Sequence, residues 1–273
     1  MNIQESHQCN LWNIERVENF LGTKTGELQQ YYQELFDDTT FLDGLNERIK
    51  NVRENHQFTK GIFSNLNIDS IDWFAFERIL LYLSVRYLKP KAVLETGVYY
   101  GGNTAFILNG LHKNGSGNLI SIDYPDSNIR ETKDVERHPD VGDSEFYQKN
   151  LQPGFISPGY LLDSWTLHIG DSHQVIPTLD ENFDLYLHDS EHSYDFIKKE
   201  MTLAMAKMNN TAMAIIDDID WSNGFFSICD THKLFPLCLT DNGKDNLRMR
   251  TGVIKLDHPK NNSPAICGAV GTS

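Results

Sequence analysis

Positive charge is in short supply: 24 Lys and Arg stand against 38 Asp and Glu, a formal net charge of −14 over 273 residues. An acidic surface repels phosphate backbones and anionic headgroups, so neither nucleic acid nor a membrane is expected as a partner. Long apolar runs are missing too. Stretches such as Ile79 to Leu83 fall far short of the ~18 residues that cross a bilayer, and Met1 to Asn10 has no basic and apolar leader pattern. A cytoplasmic location is the expectation. Cysteine is scarce: Cys9, Cys229, Cys238 and Cys267 form no CxxC and are too few for a disulfide scaffold, which points to reduced, buried thiols. Apolar residues at 40% and aromatics at 11% are enough to build a packed core, which excludes disorder.

Three signatures are absent as well. No G-x-S-x-G elbow and no Gly-Lys-Ser/Thr phosphate loop occur, and Tyr99 stands where a dinucleotide fingerprint needs its second glycine. Serine hydrolysis, nucleotide hydrolysis and NAD or FAD binding are thereby disfavoured.

What is present alternates. Residues 1–68 form a mostly helical segment, with Leu42, Leu45, Ile49 and Val52 at helical spacing, suited to covering a face, closing over a ligand or pairing subunits into a homo-oligomer. The main domain, 69–273, opens with a helix capped by Asp69 or Ser70, whose Phe76, Leu80, Leu83 and Tyr87 share a face and which Lys89-Pro90 stops. Apolar strands follow at Ala92 to Glu95, Leu119 to Asp123, Trp165 to Ile169, Phe183 to Leu187 and Ala212 to Ile216, with Leu237 to Leu239 and Arg250 to Leu256 finishing the chain. Helical patterns lie between the early strands; the last of them carries Ile197, Met201, Ala204 or Met205, and Met208 on one face. The pattern predicts an α/β fold: a doubly wound, Rossmann-like, mostly parallel seven-stranded sheet with an added N-terminal helical segment. Residues 124–163, with four prolines, exceed one crossover and read as an inserted loop.

Two places gather chemistry. The first is Glu95-Thr-Gly97-Val-Tyr99-Tyr-Gly101-Gly-Asn103-Thr104, a strand-to-helix turn where open α/β sheets bind ligands. Its acid suits an ammonium or sulfonium, and Asp123, ending the next strand, suits ribose hydroxyls. This stretch resembles motif I of class I S-adenosylmethionine-dependent methyltransferases. The resemblance implies cofactor contacts at Glu95, Gly97, Tyr99, Gly101, Asn103, Thr104 and Asp123, and an adenine contact at Asp171 and Ser172.

The second place joins His188-Asp189-Ser190-Glu191-His192-Ser193-Tyr194, after the fourth strand, to Ile216-Asp217-Asp218 after the fifth. These strands are neighbours in a 3-2-1-4-5 sheet, so Asp189, Asp217 and Asp218 should meet. Clustered carboxylates call for a hard divalent ion, magnesium first, and His192 suits a base for a hydroxyl proton. The stretch resembles the metal-dependent O-methyltransferases related to macrocin O-methyltransferase and the cephalosporin-biosynthesis methyltransferases. That resemblance implies metal ligands at Asp189, Asp217 and Asp218, catalytic roles for Asp189 and His192, and a small hydroxylated acceptor in natural product biosynthesis. A non-catalytic S-adenosylmethionine sensor is the alternative. A metal-dependent hydrolase would leave the glycine turn and Asp123 without a role.

Overall fold

The apolar runs pair into one sheet in the computed structural model, which describes residues 3–56, 75–124, 151–240 and 249–256. Its strands are β1 (Ala92–Thr96), β2 (Asn118–Asp123), β3 (Trp165–Ile169), β4 (Phe183–His188), β5 (Met208–Ile216), β6 (Leu237–Thr240) and β7 (Met249–Lys255). The order is β3-β2-β1-β4-β5-β7-β6. The first five strands run parallel, and β7 lies antiparallel to both β5 and β6. All five residues of β1 are buried, the burial on both faces that central parallel strands require.

Helices cover both faces. On one side α4 (Phe76–Leu88) and α5 (Gly102–Asn114) bury Leu80, Leu83 and Phe106 against Leu185 and Ile215. The other side holds the short α6 (Ser172–Val175), α7 (Tyr194–Met205) and α8 (Gly224–His232), with Ile197, Met201 and Phe225 against Leu94, Tyr186 and Ile216.

The N-terminal helices α1 (Ile3–Leu21), α2 (Glu27–Asp37) and α3 (Thr39–Asn55) share the first of these cores through Leu35, Phe41 and Ile49. Polar contacts fix them. Glu34 accepts from Arg86 Nε at 2.6 Å and from Tyr82 Oη at 2.5 Å, while Asp38 caps α3 through Phe41 N and pairs with Lys113 Nζ at 2.9 Å. At the β6 edge, Arg16 Nη2 donates to Cys238 O at 2.7 Å and Asn13 Nδ2 to Thr240 O at 3.3 Å. Side chains of α1 thus occupy carbonyls that an edge strand would otherwise offer to another chain.

Three local expectations need adjustment. Met208 opens β5 instead of closing the preceding helix, because apolar residues suit a buried helix face and a buried strand equally. Helix α8 was not foreseen between Trp221 and Leu237. Asp69 and Ser70 lie outside the described residues, as does 125–150 of the inserted loop; its remainder contains a 3-10 turn at Gly159–Ser164.

Candidate active site

The turn after β1 is shaped by contacts on both of its sides. Gly97 adopts φ +83°, and a Cβ there would overlap the Asp189 carbonyl oxygen, so only glycine fits. Tyr99 takes φ +51°, the left-handed region that glycine normally fills, at a cost of about 1–2 kcal/mol. Asp123 offsets this strain: its Oδ2 accepts from Val98 N at 2.9 Å and Tyr99 N at 2.7 Å. Gly101, at φ +95°, precedes α5, and a Cβ there would come within 2.5 Å of Gly154 Cα. The segment around Gly154 lies against the turn, since Gly154 N donates to Tyr99 O at 2.9 Å and Ile156 N to Tyr100 O at 3.2 Å. Arg48 of α3 holds that segment through Nη2 to Phe155 O at 2.7 Å.

Glu95 is turned the other way. Expected on the ligand side of the turn, its carboxyl is fully buried behind it, where Thr104 Oγ1 lies within hydrogen-bond distance of both oxygens at 2.9 Å and Ser121 Oγ of Oε2 at 2.5 Å. Trp165 Nε1 donates in turn to Ser121 Oγ at 2.8 Å. Burial pushes the Glu95 pKa up to about 8 against the pull of these hydroxyls, so the group is neutral at pH 7. Thr104 is buried with it. Asp171 caps α6 through His173 N at 2.9 Å, and Ser172 Oγ donates to Glu200, so both are engaged in the protein's own hydrogen bonds.

Backbone pairing sets the second cluster at the carboxyl ends of the strands. Asp189 N donates to Thr96 O and Asp217 N to His188 O, each at 2.9 Å. Carboxylate oxygens of Asp189, Asp217 and Glu77 then lie within 4.8 Å of one another. Asn103 Nδ2 bridges two of them, Glu77 Oε1 at 2.9 Å and Asp189 Oδ2 at 2.8 Å. Burial, followed by repulsion among the neighbouring carboxylates, holds Glu77 and Asp189 well above the usual carboxylate range and raises Asp217 to about 6.

Sequence reasoning missed Glu77. Its signal is its isolation: it is the sole acid in the thirteen-residue helix FERILLYLSVRYL. Asp218, expected in the cluster, is not brought into it. Its backbone turns at φ +46°, and its Oδ1 accepts from Arg250 Nε at 2.8 Å and Nη2 at 2.5 Å. A cleft lined by Phe76, Glu77, Asp217, Arg250 and Thr251 opens beside the acids.

His192 stands next to this edge, half-buried, its Nε2 without a hydrogen-bond partner among the described residues. Burial, reinforced by His188, lowers its pKa to about 4, so the ring is neutral at pH 7. His188, expected to be structural, is fully buried with Nδ1 2.5 Å from Glu200 Oε1. Burial alone would raise Glu200, yet His188 and the hydroxyl donors outweigh it and hold the pKa near about 2.

Residues 94–219 match the family model described as a methyltransferase domain. Among solved structures, a Klebsiella pneumoniae protein assigned as an O-methyltransferase aligns with TM-score 0.51 at 15% identity, over 89% of this chain and 97% of its own. An O-methyltransferase from Bacillus cereus in complex with S-adenosylhomocysteine aligns with TM-score 0.48 at 14% identity, over 83% and 96%. TomG of Streptomyces achromogenes, an O-methyltransferase involved in tomaymycin synthesis and solved with S-adenosylmethionine, aligns with TM-score 0.46 at 14% identity, over 78% and 89%. No curated protein matches the chain.

Proposed function

We propose that this protein is an S-adenosylmethionine-dependent O-methyltransferase acting on a hydroxyl of a small molecule. One observation carries the reading: a turn of left-handed residues at the carboxyl end of β1, tied to an acid ending the adjacent β2, inside a segment matching a methyltransferase domain. In this reading Asp123 holds the ribose hydroxyls, the backbone of Gly97, Tyr99 and Gly101 frames the amino-acid tail, and Asp171 and Ser172 border the adenine. The fold shared with the Klebsiella pneumoniae protein is in keeping with it.

The finer reading places the protein with the metal-assisted relatives of macrocin O-methyltransferase, in cytoplasmic natural product biosynthesis. Its support is the acid cluster. Glu77, Asp189 and Asp217 form an all-oxygen, partly buried donor set whose mutual repulsion a hard divalent cation would relieve, and beside it Asn103 Oδ1 is a buried acceptor with no hydrogen-bond partner among the described residues. Those three carboxylates would hold magnesium, with Asp218 serving Arg250 instead. When bound, magnesium would supply positive charge that lowers the pKa of the acceptor hydroxyl.

The protein's own side chains do the rest. His192 Nε2 receives the hydroxyl proton as the oxygen attacks the sulfonium methyl in line, the old S–CH3 bond breaks, and S-adenosylhomocysteine leaves. Most of the rate gain comes from holding donor and acceptor in line. Titration calorimetry with S-adenosylmethionine tests the cofactor reading. Binding by wild type, weakened at least ~10-fold in Asp123→Ala, is expected, since this change removes a charged hydrogen-bond acceptor. No heat at millimolar ligand would overturn it. Isotopic methyl transfer into a small-molecule extract separates the enzyme from a sensor, because a sensor binds without transferring label.

A further inference from the structure

Glu200 lies in α7 with no exposure, yet donors from several elements converge on its carboxylate. Thr96 Oγ1 at the end of β1 donates at 2.6 Å, Tyr186 Oη at 2.7 Å and His188 Nδ1 at 2.5 Å from β4, and Ser190 Oγ at 3.0 Å from the loop beyond it. Ser172 Oγ adds a donor from the start of α6. Packing alone does not require this. A buried carboxylate is costly unless it is fully hydrogen-bonded, and an apolar residue would fill the same space without that demand.

The geometry also fixes His188. With Nδ1 against a carboxylate, that nitrogen must hold hydrogen, which leaves Nε2 as the open end of the ring. Nε2 is buried and has no hydrogen-bond partner among the described residues. The ring meets His192 edge to face, with centroids 5.3 Å apart. The next residue, Asp189, is tied to the same network: its N–H donates to Thr96 O, and the Thr96 hydroxyl donates to Glu200.

We propose that Glu200 is a positioning residue for methyl transfer, acting through His188 to hold residues 188–192 so that Asp189 and His192 face the crevice. The claim rests on the methyltransferase reading for its kinetic consequence, and on hydrogen-bond geometry alone for its structural one.

The test uses the full chain as wild type, Glu200→Gln, Glu200→Asp, His188→Gln and the Gln/Gln double variant. In wild type, proton NMR should show a strongly downfield His188 Nδ1 proton, lost in Glu200→Gln, because a hydrogen shared with a carboxylate at short range is charge-assisted. Label transfer to extract acceptors should fall about 10–100-fold in Glu200→Gln, the range for losing a group that orients a working residue, a larger loss than any in S-adenosylmethionine affinity. Glu200→Asp should restore part of the rate. The double variant should be no slower than His188→Gln, since residues acting in series are not additive.

Wild-type turnover in Glu200→Gln, additive losses, or a wild-type spectrum without the downfield proton would overturn the proposal. Should Glu200→Gln fail to fold, His188→Gln takes its place, and full turnover in that variant overturns it equally. If wild type itself transfers no methyl, the enzyme reading has failed, while the downfield proton still decides whether Glu200 fixes His188.

Discussion

Glu95 shows how far one buried side chain can depart from its usual chemistry. Its folded pKa, about 8, lies above the unfolded value of roughly 4.3. Between those two values the native state binds more protons than the unfolded one, so this group's contribution is fully present below about pH 4.3 and is lost as pH rises through 8. Urea denaturation at pH 5, 6.5 and 8 should therefore show wild type losing stability relative to Glu95→Gln, by up to about 1.4 kcal/mol per pH unit. Parallel curves for the two proteins would refute the assignment. The inward turn of Glu95 depends on the strand register that aligns it with Ser121 and puts their side chains on one face, and a sequence pattern alone does not fix that register. Asp217 and Asp218 were less legible. Adjacent residues part company when the second adopts φ +46°, and sequence alone does not announce where that happens.

Among elements, the strands were readable because central parallel strands are buried on both sides and appear as bare apolar runs. Their order follows from the doubly wound rule, and that order makes β4 and β5 neighbours, which is what sets Asp189 beside Asp217. Glu77 escaped because its helix meets the end of β5 only through tertiary packing, which no local pattern encodes. The turn after β1 makes the sharpest demand on an element. Gly97→Ala adds a methyl against the Asp189 carbonyl at a left-handed backbone position, so a loss of more than about 2 kcal/mol in urea denaturation is expected. Gly115, also left-handed but with nothing within 4 Å of a built Cβ, is the control and should lose about 1 kcal/mol.

For the molecule as a whole, the N-terminal helices belong to the energetics of the sheet: Leu35, Phe41 and Ile49 share a core with Leu80 and Phe106. No helix among the described residues is long and apolar enough to cross a membrane. Cofactor bound only by the native state should raise stability by about 2.7 kcal/mol at a hundredfold excess over Kd, and calorimetric Tm should climb with S-adenosylmethionine concentration. A Tm unmoved by ligand would contradict native-state binding. The Gly97 contact has a mechanical corollary. Any side chain larger than hydrogen at 97 would have to displace the Asp189 carbonyl, so the turn after β1 and the chain leaving β4 are seated against each other with no room for a methyl between them.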